Sequence, residues 1–419
     1  MKLRRWFVGL GAALGVATVG GCSADSATPA SDGDDITSVP ESRVKEQLIG
    51  NCWIYATLGW VESLHLGHTG TELNLSESYL TYMHWYVRIT TDKFVFDKGG
   101  EFSTGDFFGI GEEIIARYGL MDEGTFISTE AGVDRSKRQE TAVRIIGAAL
   151  KTGGELGTPE LRRNKARVRE VLDKAFTLPP SMKDTLTRAF GADLSNTRGH
   201  GAVLNGEFRD PAKIIVAKSK TGEAITLDDA MGELDPNRPV SATRDRGERR
   251  GKYAWQRVSF GKTSEERAAS TLRLKTTLNA GFSVPIDWFT ASASMRQDDA
   301  SFHEPMNLSR DNGWHESLVH DYQVDVPGHG VIPVGTVVTD PAVLAMTLRP
   351  DAKMQLLRFK NSWGREVGPL AARGYTDATW AYLVTEFART SIDYDEQIET
   401  GTGIDAFALP PDSWDGATH

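Results

Sequence analysis

The sequence predicts an α+β protein of two lobes, a helical lobe followed by an antiparallel β lobe. Three observations lead there. Residues 52–190 carry apolar positions at helical spacing. From Tyr253 on, β-branched and aromatic runs such as Tyr253–Phe260 and Phe282–Phe289 take over. Between them, 191–250 is polar and rich in Gly, Asp and Arg, and reads as an insertion and crossover. Helices and strands in separate blocks, rather than in alternation, are the pattern of an α+β fold. The 419 residues allow two or three structural units or one two-lobed body at roughly 150 residues per domain. Their 40 % apolar content suits a large core.

In chain order, residues 1–21 come first. A basic start (Lys2, Arg4, Arg5) precedes an apolar run rich in small residues, which reads as an export signal too short and Gly-rich for a membrane span. Val19-Gly20-Gly21-Cys22 resembles a bacterial lipobox, which implies cleavage before Cys22 and lipid attachment to it. Arg4-Arg5-Trp6-Phe7 resembles a twin-arginine signal. Residues 22–42, rich in Ser, Asp, Thr, Pro and Ala, read as a flexible tether. The expectation is a lipoprotein held at the membrane of the bacterial cell envelope.

The helical lobe is expected over 43–240. Leu161–Phe176, amphipathic and Arg-rich, contains Glu170 and Asp173 and reads as a solvated helix face. The β lobe is expected over 241–390, with a late helix at Thr379–Thr390 and an acidic tail over 391–419. The formal net charge is −10, and −13 once residues 1–21 are removed, with no basic run. That balance argues against a nucleic-acid partner. No Gly-rich phosphate loop or Cys/His zinc spacing occurs, so the sequence supports neither a nucleotide nor a metal cofactor.

The two cysteines, Cys22 and Cys52, cannot build a disulfide framework. With Cys22 lipidated, Cys52 is the only free thiol. Gly50-Asn51 makes a turn, and a helical pattern opens at Cys52-Trp53. A cysteine at a helix N-terminus meets free N–H groups and the positive end of the dipole, both of which favour thiolate. Gln47, just upstream, offers a side-chain amide as an oxyanion donor. The alternative is a buried cysteine packing as a small apolar residue.

These residues resemble the nucleophile segment of papain-like cysteine peptidases, with Gln47 followed by Gly50-Asn51-Cys52-Trp53. Phe359-Lys360-Asn361-Ser362-Trp363-Gly364 is similar to that family's Asn-Ser-Trp-Gly. Leu75-Ser76-Glu77-Ser78-Tyr79-Leu80, Lys98-Gly99-Gly100-Glu101-Phe102 and Ile114–Leu120 resemble its intervening motifs. Leu278–Pro285 and the ending Leu409–Gly416 look most like the bleomycin hydrolase branch. The resemblance implies a papain-like two-lobed fold with the active-site cleft between the lobes. It also implies a peptidase, of aminopeptidase or oligopeptide-hydrolase type, with Cys52 as nucleophile, Gln47 as oxyanion donor and Asn361 orienting an imidazole. Trp53, Gly99, Gly100 and Trp363 would meet the peptide or protein substrate.

The pattern breaks at the histidine. The family puts it at the start of a strand that hairpins back to the Asn. Ala342–Leu348, the turn at Arg349–Lys353 and Met354–Lys360 read as strand, turn and strand. A hairpin centred on Asp351 sets residue 341 opposite Asn361, and that residue is Pro341. His65 and His68 lie roughly 20 Å along the helix from Cys52, and His84 reads as a core residue. His200 sits in a Gly-rich loop, and His303, His315 and His320 read as surface residues. His329 stands about 26 Å from Pro341 along an extended strand. His419, at the C-terminus, is the other candidate substitute. In the register of the motif, Glu46 is the alternative to Gln47 at the oxyanion position. Two functions follow: a lipid-anchored cysteine peptidase with an imidazole from elsewhere, or a pseudopeptidase that binds peptides without cutting them.

Overall fold

The computed structural model describes residues 39–97, 99–233, 251–296, 298–308, 312–364, 374–390 and 398–411. The export signal, Cys22, residues 23–38 of the tether, Lys98, and residues 412–419 with His419 lie outside the described residues.

The helical lobe is built on α1 (Cys52–Thr69), α2 (Glu77–Thr90), α3 (Phe108–Tyr118) and α4 (Lys137–Leu150). Around them pack α5 (Pro159–Arg163), α6 (Lys165–Ala175), α7 (Pro180–Phe190) and α8 (Leu227–Met231). Ser76 and Ser136 cap α2 and α4 by accepting from the amides of Tyr79 and Gln139. α1 is buried along most of Trp53–Leu64, so it is a central helix rather than an amphipathic surface one. Two small hairpins complete this lobe: β1 (Leu120–Met121) with β2 (Phe208–Arg209), and β3 (Ile215–Lys218) with β4 (Ala224–Thr226). β3 and β4 fall within the stretch read as a plain crossover.

The second lobe is a seven-stranded antiparallel sheet in the order β10-β9-β7-β6-β13-β5, with β8 paired to β7. Its strands are β5 (Gln256–Ser259), β6 (Val284–Ala291), β7 (Asn312–Val326), β8 (Gly330–Ile332), β9 (Lys353–Lys360), β10 (Tyr375–Thr379) and β13 (Ile404–Leu409). α9 (Ser264–Asn279), opened by a Thr263/Glu266 capping box, packs on β6 and β13. Each lobe has its own core. Trp60, Tyr82 and Trp85 anchor the helical one, and Trp288, Tyr322 and Phe359 the sheet. The α+β expectation therefore holds. No helix among the described residues is long and apolar enough to cross a membrane.

Five expectations are corrected. Residues 39–42, read as the end of the tether, are docked. Val39 is in the sheet core, Ser63 Oγ donates to the Pro40 carbonyl, and Ser42 Oγ donates to Glu62 at 2.5 Å. The late helix over 379–390 is one turn, Trp380–Val384, followed by β11 (Glu386–Thr390), which pairs with β12 (Ile398–Thr402). The acidic tail contributes β13 to the middle of the sheet, between β6 and β5. In the arginine-rich stretch, Asn164 starts a new helix by accepting from Arg167 N–H, and two of the arginines turn inward. Arg169 donates to Thr187 Oγ1 and to the carbonyls of Lys183, Gly191 and Ala192, and Arg162 to Asp92 and the Leu156 carbonyl. That face is a brace for loop carbonyls, not wholly a solvated surface.

The fifth correction bears on function. Pro341–Thr347 is helix α10, not a strand. Asp340 caps it by accepting from Ala342 N–H, and proline suits the first helical position because its missing N–H would have no partner there. The neighbours of β9 are β10 and β7, so residues 327–352 are an insertion between paired strands rather than a hairpin turn.

Candidate active site

Cys52 is the first residue of α1 and is half-buried. Asn51 precedes it without capping the helix. Its side-chain amide instead donates to Thr81 Oγ1 at 3.1 Å and Gln139 Oε1 at 2.8 Å, which fixes the entry turn to α2 and α4. Gly59, two turns further on, lets α1 lie close against β7. A Cβ there would stand 2.8 Å from Leu318 Cδ1.

β7 pairs with β9 through Leu318 and Lys360. Continuing that antiparallel register sets Asn361 opposite Ser317 and brings His315 within two residues of it. His315, expected at the surface, is buried. Its Nε2 lies 2.8 Å from Asn361 Oδ1, and Trp363 stacks on its ring with centroids 4.9 Å apart. The residue after it, Glu316, donates its amide N–H to Cys52 Sγ at 3.5 Å. Thiol, imidazole and carboxamide thus converge from α1, β7 and the end of β9. The expectation that the imidazole is missing is corrected, because the hairpin arithmetic paired Asn361 with the wrong strand. The alternation Tyr322-Gln323-Val324-Asp325-Val326, at the end of the same strand, is the sequence signal that would have pointed to it.

The hydrogen bonds around Asn361 set the tautomer. Ser362 N–H donates to Oδ1 at 2.8 Å, and Nδ2 donates to Thr376 Oγ1 at 3.2 Å, so Oδ1 is the acceptor. His315 Nε2 therefore carries the proton, and in the neutral ring Nδ1 keeps its lone pair. Burial pushes the His315 imidazole down to about 4, against the pull of Asn361 in the other direction. Burial also pushes the Cys52 thiol up to about 12, with the carboxylates of Glu316 and Asp287 adding to the rise and the amides of Glu316 and Trp53 opposing it. At neutral pH the resting pair is a thiol beside a neutral imidazole.

Gln47 lies beside this group. Its amide N–H donates to the Ser362 carbonyl at 2.8 Å, its side-chain Oε1 accepts from Ser362 Oγ at 2.5 Å, and its Nε2 donates to the Ile49 carbonyl at 2.9 Å. One N–H of the carboxamide is thus directed at Ile49, and the group has a second. Glu46 turns elsewhere, into a 3.4 Å ion pair with Arg135 and a bridge to Trp363. Trp53, expected to meet substrate, is fully buried and donates Nε1 to the Thr104 carbonyl at 3.1 Å. Its place is in the core. Gly99 and Gly100 form the tip of a tight turn closed by the Gly100 N–H on the Asp97 carbonyl, with Gly100 at φ +71°. Trp363 covers the imidazole and its bond to Asn361. His329 is exposed on the turn after β7, about 14 residues and some 40 Å of extended chain beyond His315, and Pro341 opens α10.

A second polar cluster lies deeper between the lobes. Lys45 Nζ is 2.8 Å from Glu77, 3.4 Å from Glu123 and 3.6 Å from Glu62. Lys360 Nζ donates to the carbonyl and hydroxyl of Ser42, both at 2.7 Å. A cavity lined by Lys45, Glu62, Glu77 and Lys360 borders this cluster and reaches Glu316 and Asn361.

No family model matches the chain, and no curated protein does. Among solved structures, it is similar to PepW from Lactobacillus rhamnosis HN001, at 12 % identity over 90 % of this chain and 81 % of that one, with a TM-score of 0.41. Xylellain, a cysteine protease from Xylella fastidiosa, is similar at 14 % identity over 90 % and 84 %, with a TM-score of 0.34. The Carica candamarcensis cysteine protease CMS1MS2, in complex with E-64, is similar at 13 % identity over 88 % and 92 %, with a TM-score of 0.33.

Proposed function

We propose that the chain is a papain-like cysteine peptidase in which Cys52 is the nucleophile, His315 the general base and acid, and Asn361 the group that orients the imidazole. One observation carries the reading: His315 Nε2 is held by Asn361 Oδ1 at 2.8 Å while the amide of the next residue meets Cys52 Sγ. That arrangement leaves Nδ1 as the nitrogen to receive the thiol proton. The sulfur then attacks the peptide carbonyl. The α1 N-terminus and the second N–H of Gln47 are the donors this reading offers the developing oxyanion. Nδ1–H protonates the leaving amine, and water, activated by the same nitrogen, hydrolyses the thioester. Trp363 shields the His315–Asn361 bond from water.

The likeness of Leu278–Pro285 and Leu409–Gly416 to the bleomycin hydrolase branch supports an exopeptidase of that kind within the superfamily. The Cys22 motif supports export and anchoring by lipid, with the catalytic body carried at the cell envelope. The test is peptide-library hydrolysis by the wild-type chain, Cys52→Ala and His315→Ala. Cleavage lost in both supports the assignment, and cleavage retained in Cys52→Ala removes it.

A second reading is a peptide-binding pseudopeptidase. It is favoured by the thiol and imidazole both lying on their uncharged sides, Cys52 up to about 12 and His315 down to about 4. Absence of any Cys52-dependent turnover across the library, with peptide binding retained, would select it.

A further inference from the structure

Residues 39–47 form a strap that bonds to both lobes and ends on Gln47. Its backbone alternates between them, because successive N–H groups of an extended chain point to opposite edges. The Glu46 N–H donates to the Asp134 carbonyl of the helical lobe at 2.6 Å, and the Gln47 N–H to the Ser362 carbonyl, just past β9, at 2.8 Å. Glu46 bridges Arg135 in parallel and Trp363 in antiparallel sense, and its carbonyl accepts from Tyr55 OH on α1 at 3.2 Å. The side chains divide in the same way. Arg43 pairs with Asp134, and Lys45 with Glu62, Glu77, Glu123 and the Leu75 carbonyl, all in the helical lobe. Towards the sheet, Glu41 lies 3.3 Å from His320 on β7 and accepts from Tyr375 OH on β10. Val44 packs over Gly374, where a Cβ would collide with it.

Ser42 touches both lobes at once. Its hydroxyl donates to Glu62 on α1 at 2.5 Å and accepts from Lys360 Nζ on β9 at 2.7 Å, while its carbonyl accepts from the same ammonium at 2.7 Å. An ammonium drawn between two lobes is costly unless its hydrogen bonds are remade there, and Ser42 remakes two of them. The chain closes a ring at this point: Lys360 meets Ser42 by its side chain, the strap runs on to Gln47, and Gln47 returns by its backbone to Ser362, two residues past Lys360. We propose that the strap is a clasp between the lobes, and that Lys360 and Ser42 are positioning residues that hold it so that Gln47 keeps its place. The function assigned to Gln47 rests on the peptidase reading; the clasp itself does not.

The first test needs no turnover. Amide hydrogen exchange of the full chain is followed by mass spectrometry for the wild type, Lys360→Met and Ser42→Ala. In the wild type the peptide covering residues 44–49 is expected to be protected. In each variant it should exchange about tenfold faster, while peptides from α6 and β6, away from the strap, keep their rates. An unprotected peptide in the wild type, an unchanged rate in both variants, or acceleration spread evenly over both lobes overturns the clasp, even if hydrolysis is Cys52-dependent. Ser42→Ala, the smaller change, keeps the test decisive if Lys360→Met does not fold. Local acceleration without any Cys52-dependent hydrolysis would instead sink the peptidase reading and leave the clasp standing.

Where hydrolysis is seen, kinetics test the positioning role. Lys360→Met and Ser42→Ala should each lower kcat by about tenfold with KM unchanged, a smaller loss than deletion of an oxyanion donor. Added to Gln47→Ala, neither should lower kcat further, because both act through Gln47. Effects that multiply in the double variants overturn the positioning role.

Discussion

Two regions along α1 face a similar electrostatic problem and answer it differently. Around Glu62, three buried carboxylates (Glu62, Glu77, Glu123) crowd one ammonium, Lys45, with Lys360 nearby. Around Cys52, ten residues and about 15 Å back along the helix, Glu316 and Asp287 face a thiol. In both places buried carboxylates bear on where a proton rests. In the deeper cluster a carboxyl holds it. Burial and Glu77 push Glu123 up to about 10, while the three carboxylates together hold Lys45 firmly protonated despite its burial. At the mouth of α1 the sulfur holds it, because burial and the carboxylates of Glu316 and Asp287 push the thiol up. A proton on a carboxyl between the lobes is structural. A proton on Sγ beside an imidazole is chemistry waiting for a base and a substrate.

The largest expected effect separates the two regions outright. His315→Ala should lower kcat/KM for a cleaved peptide by about 10²–10⁴-fold, the usual worth of a general base. A His315→Ala enzyme that keeps wild-type kcat/KM would break the comparison, since the Cys52 end would then be as structural as the other. Next in size, Lys45→Met takes the ammonium from the buried carboxyl groups of Glu62, Glu77 and Glu123 and should cost about 3–5 kcal/mol by urea unfolding. If it costs less than about 1 kcal/mol, the deeper cluster is not what joins the lobes.

Gly59→Ala comes third. It drives a methyl into Leu318 on β7 and should destabilise by about 1–3 kcal/mol. By prying α1 from β7 it should also slow Cys52 modification, which a purely local packing defect would not do. Smaller again is the pH profile of Cys52 alkylation. With the thiol raised, the rate in the wild type should climb only on the alkaline side. Removing the negative charge in Glu316→Gln favours thiolate, so the profile should move to lower pH by about one unit. An unmoved profile would mean that burial alone holds the proton. Smallest of all, Pro341→His should leave activity unchanged, because that position opens α10 and the imidazole already stands on β7. A gain of activity there would reinstate the hairpin register.

Much of this molecule was legible in the chain. The order of helical and β-branched blocks determined an α+β protein, because the two periodicities bury different faces and sort into separate layers. Local chemistry determined that Cys52 opens a helix, and short motifs picked out Asn361 and Trp363. What the sequence could not determine was which strand lies beside Asn361. Apolar runs on either side of a turn look like a hairpin, yet Asp340-Pro341 caps a helix and β9 pairs instead with β7, across a 26-residue insertion. Strand pairing is a long-range property, decided by which partner buries the larger face and completes its backbone hydrogen bonds. The same holds for the charges. Glu316 and Asp287 are 29 residues apart in sequence, and only the register of β6 with β7 sets them side by side, with the Glu316 amide on the thiol of Cys52.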